Sequence, residues 1–215
     1  MRNVAGELVC GRKECLKGRK MIIRKYCDND EQAWIRCRAI AFLDSSYWND
    51  VKTEKEKYDK PSISLIAEKD GQIIGFIDTE IDSEHASCCR EGERNAVIWH
   101  LGVLPEYRRL SMAKKLWEET KKRLLAENIH YCEVWTQEDE PANRFYQKMG
   151  FTLEEDQTWL RCYSQGRRCA ELLNEKLGDI YGPEQLIFDA PVSRREELKD
   201  FCYRMDEVRL YSIRF

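Results

Sequence analysis

"VLPEYRRLSMAKKL" occupies residues 103–116. Two arginines, Arg108 and Arg109, stand at a bend, the small residues Ser111 and Ala113 follow, and an amphipathic helix begins. A helix start exposes unpaired backbone N–H groups and about half a positive charge. Small side chains let a ligand approach that backbone, and arginines add charge-assisted hydrogen bonds. The stretch therefore reads as an anion cradle, with a phosphate or pyrophosphate as its natural occupant. It is neither a P-loop nor a dinucleotide-binding turn, because GxxxxGK[ST] and GxGxxG are both absent.

The chain around this bend alternates strands and helices. Before it lie a strand "MIIRKYC" (21–27), a helix entered at Asp28 and Glu31 with Trp34, Cys37 and Ala41 on one face, and a second, charged helix expected over 48–58. Two strands, "SISLIAE" (62–68) and "QIIGFIDTEI" (72–81), are joined by a hairpin turn at "KDG", and "AVIWHLGVL" (96–104) is apolar enough for burial on both faces. After the bend, Met112, Leu116, Thr120 and Leu124 form a helical stripe. "HYCEVWTQE" (130–138) is a strand, and Pro141 and Gly150 bracket a further helix. The order is that of an α/β fold with a mixed sheet.

The totals set limits. A chain of 215 residues with 42% hydrophobic residues fits one domain, perhaps one with an appendage. A formal net charge of -3 argues against a nucleic-acid partner, and no apolar run suits a membrane span. Without a signal peptide in view, the ten scattered cysteines read as reduced thiols of a cytoplasmic protein. The cluster His85, Cys88 and Cys89 fits no zinc spacing, so no metal is expected. Residues 1–20 carry six Lys/Arg against two acids and read as a flexible extension. Residues 21–160 are the expected core. Residues 161–215 form an expected C-terminal α/β extension: a helix near 167–177, a strand "QLIFD", a helix capped at Ser193 with Glu196, and a strand "VRLYSIRF". Either "QTWLRCY" or "VRLYSIRF" supplies the seventh core strand.

Residues 103–116 resemble the acetyl-coenzyme A signature of the GNAT superfamily of N-acetyltransferases, R/Q-x-x-G-x-G/A. Arg108 takes the first position, Ser111 the first glycine position and Ala113 the last. A second block, "DEPANRFYQKMGF" (139–151), resembles the family's N-x-x-A-x-x-F-Y-x-K-x-G-F, with Asp139 where asparagine is frequent.

The resemblance implies a mostly antiparallel sheet, flanked by helices, whose two central strands splay apart around acetyl-coenzyme A. It implies that the cofactor's amides pair with Leu101, Gly102 and Val103, and that its pyrophosphate lies on N–H groups of Arg108, Arg109, Leu110, Ser111, Met112, Ala113 and Lys114. Asp139, Asn143 and Tyr146 complete the implied cofactor contacts. Ser111 departs from glycine. In the left-handed region a serine costs on the order of 1–2 kcal/mol. In ordinary helical space its hydroxyl is free to bond a phosphate, and this second reading is the one adopted.

Acetyl transfer needs a neutral amine and a proton for the departing thiolate. The resemblance gives Tyr146 as proton donor. Some family members carry a glutamate base where this chain has Val97, so His100 on the same strand becomes the candidate base, with Glu91 and Glu93 in the loop before it. Asp44, Tyr47, Trp48 and Trp99 are candidates for the acceptor pocket. The expected function is N-acetylation of a small-molecule or peptide amine, without a nucleic-acid or membrane partner, and a dimer is compatible with the sequence. Two alternatives are an acyl-coenzyme A sensor without turnover and a transferase of a longer acyl group.

Overall fold

The computed structural model describes residues 21–82, 89, 94–178 and 181–215. Among these residues eight strands form one sheet: β1 (Ile22–Lys25), β2 (Ser62–Lys69), β3 (Gln72–Ile81), β4 (Ala96–Val103), β5 (Tyr131–Thr136), β6 (Thr152–Gln165), β7 (Gln185–Pro191) and β8 (Arg204–Arg214). Their order across the sheet is β1-β2-β3-β4-β5-β8-β6-β7, and every neighbouring pair is antiparallel except β4 with β5. Among the described residues no helix is long and apolar enough to cross a membrane.

Among the described residues five helices punctuate the strands: α1 (Glu31–Leu43), α2 (Met112–Ala126), α3 (Glu140–Lys148), α4 (Gly166–Leu177) and α5 (Arg195–Leu198). Helix α1 buries Trp34, Cys37, Ala41 and Phe42; α2 buries Met112, Leu116, Thr120 and Leu124 together with Trp117. On β3 the side chains alternate between faces. Phe76 meets Trp34 and Phe42 of α1 at ring-centroid distances of 5.3 and 5.8 Å, whereas Gly75 on the opposite face comes against Leu116 of α2. The two helices thus cover opposite faces of the central strands.

The expected turns hold where local chemistry decides. Asp70 and Gly71 both have positive φ (53° and 80°), as a two-residue hairpin loop requires. The entry to α1 is shifted by one residue from the expected cap. Asp30, not Glu31, reaches back to the Cys27 N–H at 2.9 Å, while Glu31 accepts from the Lys55 N–H at 3.1 Å.

The expected helix over 48–58 is absent: turns lead into irregular chain through residue 61. Tertiary ion pairs override the helical pattern here. Lys55 Nζ is buried 2.7 Å from Asp78 of β3, and Glu56 reaches His100 of β4 at 3.2 Å. Adjacent residues of a helix point about 100° apart, so a helix would not direct both side chains onto one sheet face.

The C-terminal segment enters the middle of the sheet. β8 pairs with β5 from Tyr131↔Arg214 to Thr136↔Arg209 and with β6 on its other side, so "VRLYSIRF" is the strand that completes the central sheet. "QTWLRCY" belongs to the second half of the long β6. The helix expected at Ser193 is a short 3-10 turn (Val192–Arg194) and the single turn α5, without a side-chain cap. Its apolar residues are nonetheless covered: Leu198 and Cys202 join Leu160, Cys162 and Ala190 in a second small core, flanked by Phe201 and Met205.

Candidate active site

Strands β4 and β5 pair over only three positions, Ala96↔Cys132, Val97↔Glu133 and Ile98↔Val134. Opposite β3, the register of β4 slips between Asp78↔His100 and Thr79↔Ile98, which makes Trp99 an extra, bulged residue. Beyond the bulge β4 runs on to Val103 without β5 beside it, and a cleft of about 200 Å³ opens. Trp99, His100 and Leu101 line it from β4, Val134–Thr136 from β5 with Gln137 just beyond, Ala142 and Tyr146 from α3, and Phe42 and Tyr47 from the α1 side.

The bend that follows β4 carries the expected cradle. Arg109 and Ser111 both lie in the left-handed region, at φ 62° and 59°. Ser111 is the residue immediately before α2, with φ 59° and ψ 23° and no side-chain cap bond. The helical-space reading of Ser111 is therefore overturned: it adopts the glycine conformation, because only a reversed twist there turns the chain into α2. Among the described residues none accepts a hydrogen bond from the amides of Arg109 to Lys114, so the helix start is bare.

Arg108 departs from the expected phosphate-facing pose. Its guanidinium grips Asp44 through two 2.8 Å bonds and donates to Ala41 O at 2.7 Å and Val103 O at 3.2 Å. It ties the C-terminal end of α1 to the exit of β4, where a cation suits exposed carbonyls. Leu110 and Arg109 stay exposed beside it. Gly102 lets β4 approach the core: an added Cβ would lie 2.5 Å from the Phe76 ring.

Asp139 caps α3, accepting from the Ala142 N–H at 2.9 Å. Asn143 is buried and spends both amide hydrogens within the chain, on Gln137 O (3.0 Å) and Asp139 O (2.9 Å), while its oxygen accepts from Thr136 at 2.5 Å. It holds the end of β5 against α3. Tyr146 is 5% exposed, edge-on to Phe145 and Phe151, and lines the cleft. Burial pushes its phenol well above its ordinary pKa.

His100 also lines the cleft, and its Nε2 lies 3.2 Å from Glu56 Oε1. Burial disfavours the Glu56 carboxylate, but the His100 hydrogen bond and the nearby Arg38 charge oppose it, and the carboxyl is held below its usual range. Sequence reasoning missed Glu56; within a charged stretch that read as a helix, nothing pointed to a histidine 44 positions away.

Val97 is 1% exposed and inert. Trp99, 45% exposed, donates from Nε1 to Glu80 at 2.7 Å. The Tyr47 hydroxyl accepts from the Gln137 N–H at 2.9 Å. Of the four acceptor-pocket candidates, Tyr47 and Trp99 line the cleft, Asp44 is committed to Arg108, and Trp48 is not among the lining residues. Glu91, Glu93, His85, Cys88 and residues 1–20 lie outside the described residues. Among the described residues no group of His, Cys, Asp and Glu could hold a metal ion.

A mixed sheet opened at its single parallel junction, beside a bare helix start and a tyrosine, is the arrangement implied by resemblance to the N-acetyltransferases. Residues 26–151 match the acetyltransferase (GNAT) family, more than half of the chain, and the chain belongs to that family. It is 29% identical to mycothiol acetyltransferase of Streptomyces griseus over 133 residues, which cover 59% of this chain and 41% of that protein; the match thus spans about two fifths of that relative. The PaiA N-acetyltransferase of Thermoplasma acidophilum, solved in complex with coenzyme A, is similar with a TM-score of 0.51 and 22% identity, over 63% of this chain and 91% of that one. The ribosomal-protein-S18-alanine N-acetyltransferase of Escherichia coli shares the fold with a TM-score of 0.52 at 11% identity, over 91% of this chain and 94% of that one.

Proposed function

We propose that the chain is an N-acetyltransferase that moves the acetyl group of acetyl-coenzyme A to a primary amine by direct attack on the thioester. One observation carries the reading: Tyr146 and His100 line the same cleft at the place where β4 and β5 part. The family and the coenzyme A complex of the PaiA enzyme support acetyl-coenzyme A as the cosubstrate. The residues fit it. Leu101, Gly102 and Val103 have no β5 partner and offer backbone groups to pantetheine amides, in the manner of an added strand. The bare amides from Arg109 to Lys114 offer donors to a pyrophosphate, and the exposed Arg109 adds charge. Arg108 and Asn143 shape this site through the chain, holding β4, α1 and α3 in place.

The bound thioester supplies the acetyl group. In this reading the amine nitrogen bonds to the acetyl carbon and the carbon–sulfur bond breaks. His100 takes the proton that the amine loses, and Tyr146 gives its phenolic proton to the departing sulfur. Proton return from His100 to Tyr146 through cleft water restores both groups. The raised pKa of Tyr146 keeps the proton in place until it is needed. The same apolar surroundings penalise the thiolate and the phenolate alike.

The seven free cysteines among the described residues support a reducing, cytoplasmic setting. The buried Val97, in place of a carboxylate, favours a second reading as an acyl-coenzyme A sensor. Incubation with acetyl- and longer acyl-coenzyme A and a panel of amines (tyramine, spermidine, glucosamine, a lysine peptide), read by mass spectrometry, tests the proposal. An amine gaining one acetyl group supports it. Binding of acetyl-coenzyme A without any acylated amine points to the sensor, and preferential use of a longer thioester points to another acyl group.

A further inference from the structure

The imidazole of His100 is held from outside its own sheet. Residues 50–61 have no regular structure, yet they deliver Glu56 onto it, with Oε1 3.2 Å from Nε2. The other ring nitrogen, Nδ1, has no hydrogen-bond partner among the described residues and is not one of the buried, unpartnered atoms, so it is accessible, on a residue that lines the cleft. We propose that Glu56 is a positioning residue for His100: its carboxylate accepts the Nε2–H, fixes the ring, and leaves the Nδ1 lone pair to take the proton of the acceptor amine. This inference rests on the reading of His100 as the base.

The chemistry of the pair carries it. A carboxylate has acceptors only, so the nitrogen facing it must carry the hydrogen, and the opposite nitrogen is then the basic one. Glu56 must stay ionised for this, and its surroundings provide for that. Arg38 lies 3.8 Å and Lys52 3.2 Å from the same oxygen. The remaining charges around the ring are matched: Asp50 with Arg38 and Lys52, Asp78 of β3 with Lys55, and Arg161 of β6 with Asp189. Glu80 of β3 is tied to Trp99. As the bond between the amine nitrogen and the acetyl carbon forms, the nitrogen's proton passes to Nδ1. The ring becomes an imidazolium with Nε2–H still on Glu56, and the proton later leaves from Nδ1 to cleft water. Glu56 itself is not protonated, the division of labour known from histidine–carboxylate pairs.

Two measurements on the full chain test this. The first is nitrogen NMR with labelled histidine; the chain has three histidines, and His100→Gln assigns the signal. The expected ring is the Nε2–H tautomer in the wild type, with a hydrogen-bonded ring proton that Glu56→Ala abolishes. A wild-type Nδ1–H tautomer, or ring signals that Glu56→Ala leaves unchanged, overturns the proposal while leaving the base reading of His100 standing. The second is a kinetic cycle with tyramine, spermidine, glucosamine and the lysine peptide as acceptors. Glu56→Ala should lower kcat about 10–100-fold with the KM for acetyl-coenzyme A unchanged, and should cost nothing further in a His100→Ala background. Glu56→Gln, which keeps an acceptor oxygen and the side-chain shape, should recover part of the loss. Equal losses in both backgrounds would mean a structural role and overturn the proposal. A His100→Ala variant with full kcat would contradict the base reading and take the proposal with it.

Discussion

Arg108 and Asp44 face each other fork to fork, with both N–O distances 2.8 Å, across the joint between the bend before α2 and the end of α1. The pair holds the Asp44 carboxyl below its ordinary range, through the Arg108 hydrogen bonds. Because both side chains are more than a third exposed, the ion pair itself is worth about 0.2–1 kcal/mol at most. A carboxylate with a lowered folded-state pKa stabilises above its unfolded pKa, near 3.9, and loses that contribution as pH falls. Wild type and Asp44→Asn should therefore differ in melting temperature at pH 7 and converge as pH falls below the ordinary carboxylate range. Arg108→Ala, which also frees two carbonyls, should cost more than Asp44→Asn and should loosen coenzyme A binding in calorimetry.

Ser111 occupies a glycine conformation at φ 59°. Ser111→Gly should relieve left-handed strain of about 1 kcal/mol, partly offset by the greater freedom of glycine in the unfolded chain. The expected outcome is a small rise in melting temperature, up to about 2–4 °C for a chain of this size. A fall of several degrees would argue that the serine hydroxyl, rather than the backbone twist, matters there.

Gly102 has no room for a methyl group: Phe76 ring atoms lie 2.5 and 2.6 Å from where its Cβ would stand. Gly102→Ala should push β4 away from the core at the mouth of the cleft. Overpacking of this kind costs about 1–3 kcal/mol, readable by denaturant unfolding, and coenzyme A affinity should fall with it.

Lys55 is buried against Asp78 at 2.7 Å, with the rings of Tyr26, Trp34 and Tyr58 each 5.1 Å from its ammonium. Removing one partner leaves a buried charge alone, so Lys55→Met should cost about 3–5 kcal/mol. Lys55→Met combined with Asp78→Leu should recover most of that in urea unfolding. A double variant as unstable as the single one would show that the cation–ring contacts, not the pair, hold residues 50–61.

How much of this was legible in the sequence follows the range of each interaction. The hairpin at Asp70–Gly71, the stripe from Met112 to Leu124 and the Asp139 cap are local, and the residues state them. The two motif blocks pointed to the helix start at Ser111 and to Tyr146; of these the structure sets Tyr146 in the lining of the cleft. The misread features are long-range. Residues 48–58 carry a helical pattern, but Lys55 and Glu56 are claimed by Asp78 and His100. Arg108 looked like a phosphate ligand until α1 placed Asp44 and the Ala41 carbonyl within its reach. The glycine position of the signature pointed to the backbone twist at Ser111, but serine has no intrinsic preference for it, and the helical reading was the wrong choice. The place of β8 between β5 and β6 depends on sheet order, which no local pattern encodes.

The central claim is that Tyr146 hands its proton to the departing sulfur, and Tyr146→Phe tests it most directly. The change removes one oxygen from a side chain that is otherwise packed among Phe145 and Phe151. Turnover of acetyl-coenzyme A with an acceptor from the amine panel should fall by about 10²–10⁴-fold in kcat, the usual worth of general acid catalysis. Acetyl-coenzyme A affinity, measured by calorimetry on the same preparation, should stay close to that of the wild type. A Tyr146→Phe protein that keeps full kcat would contradict the account.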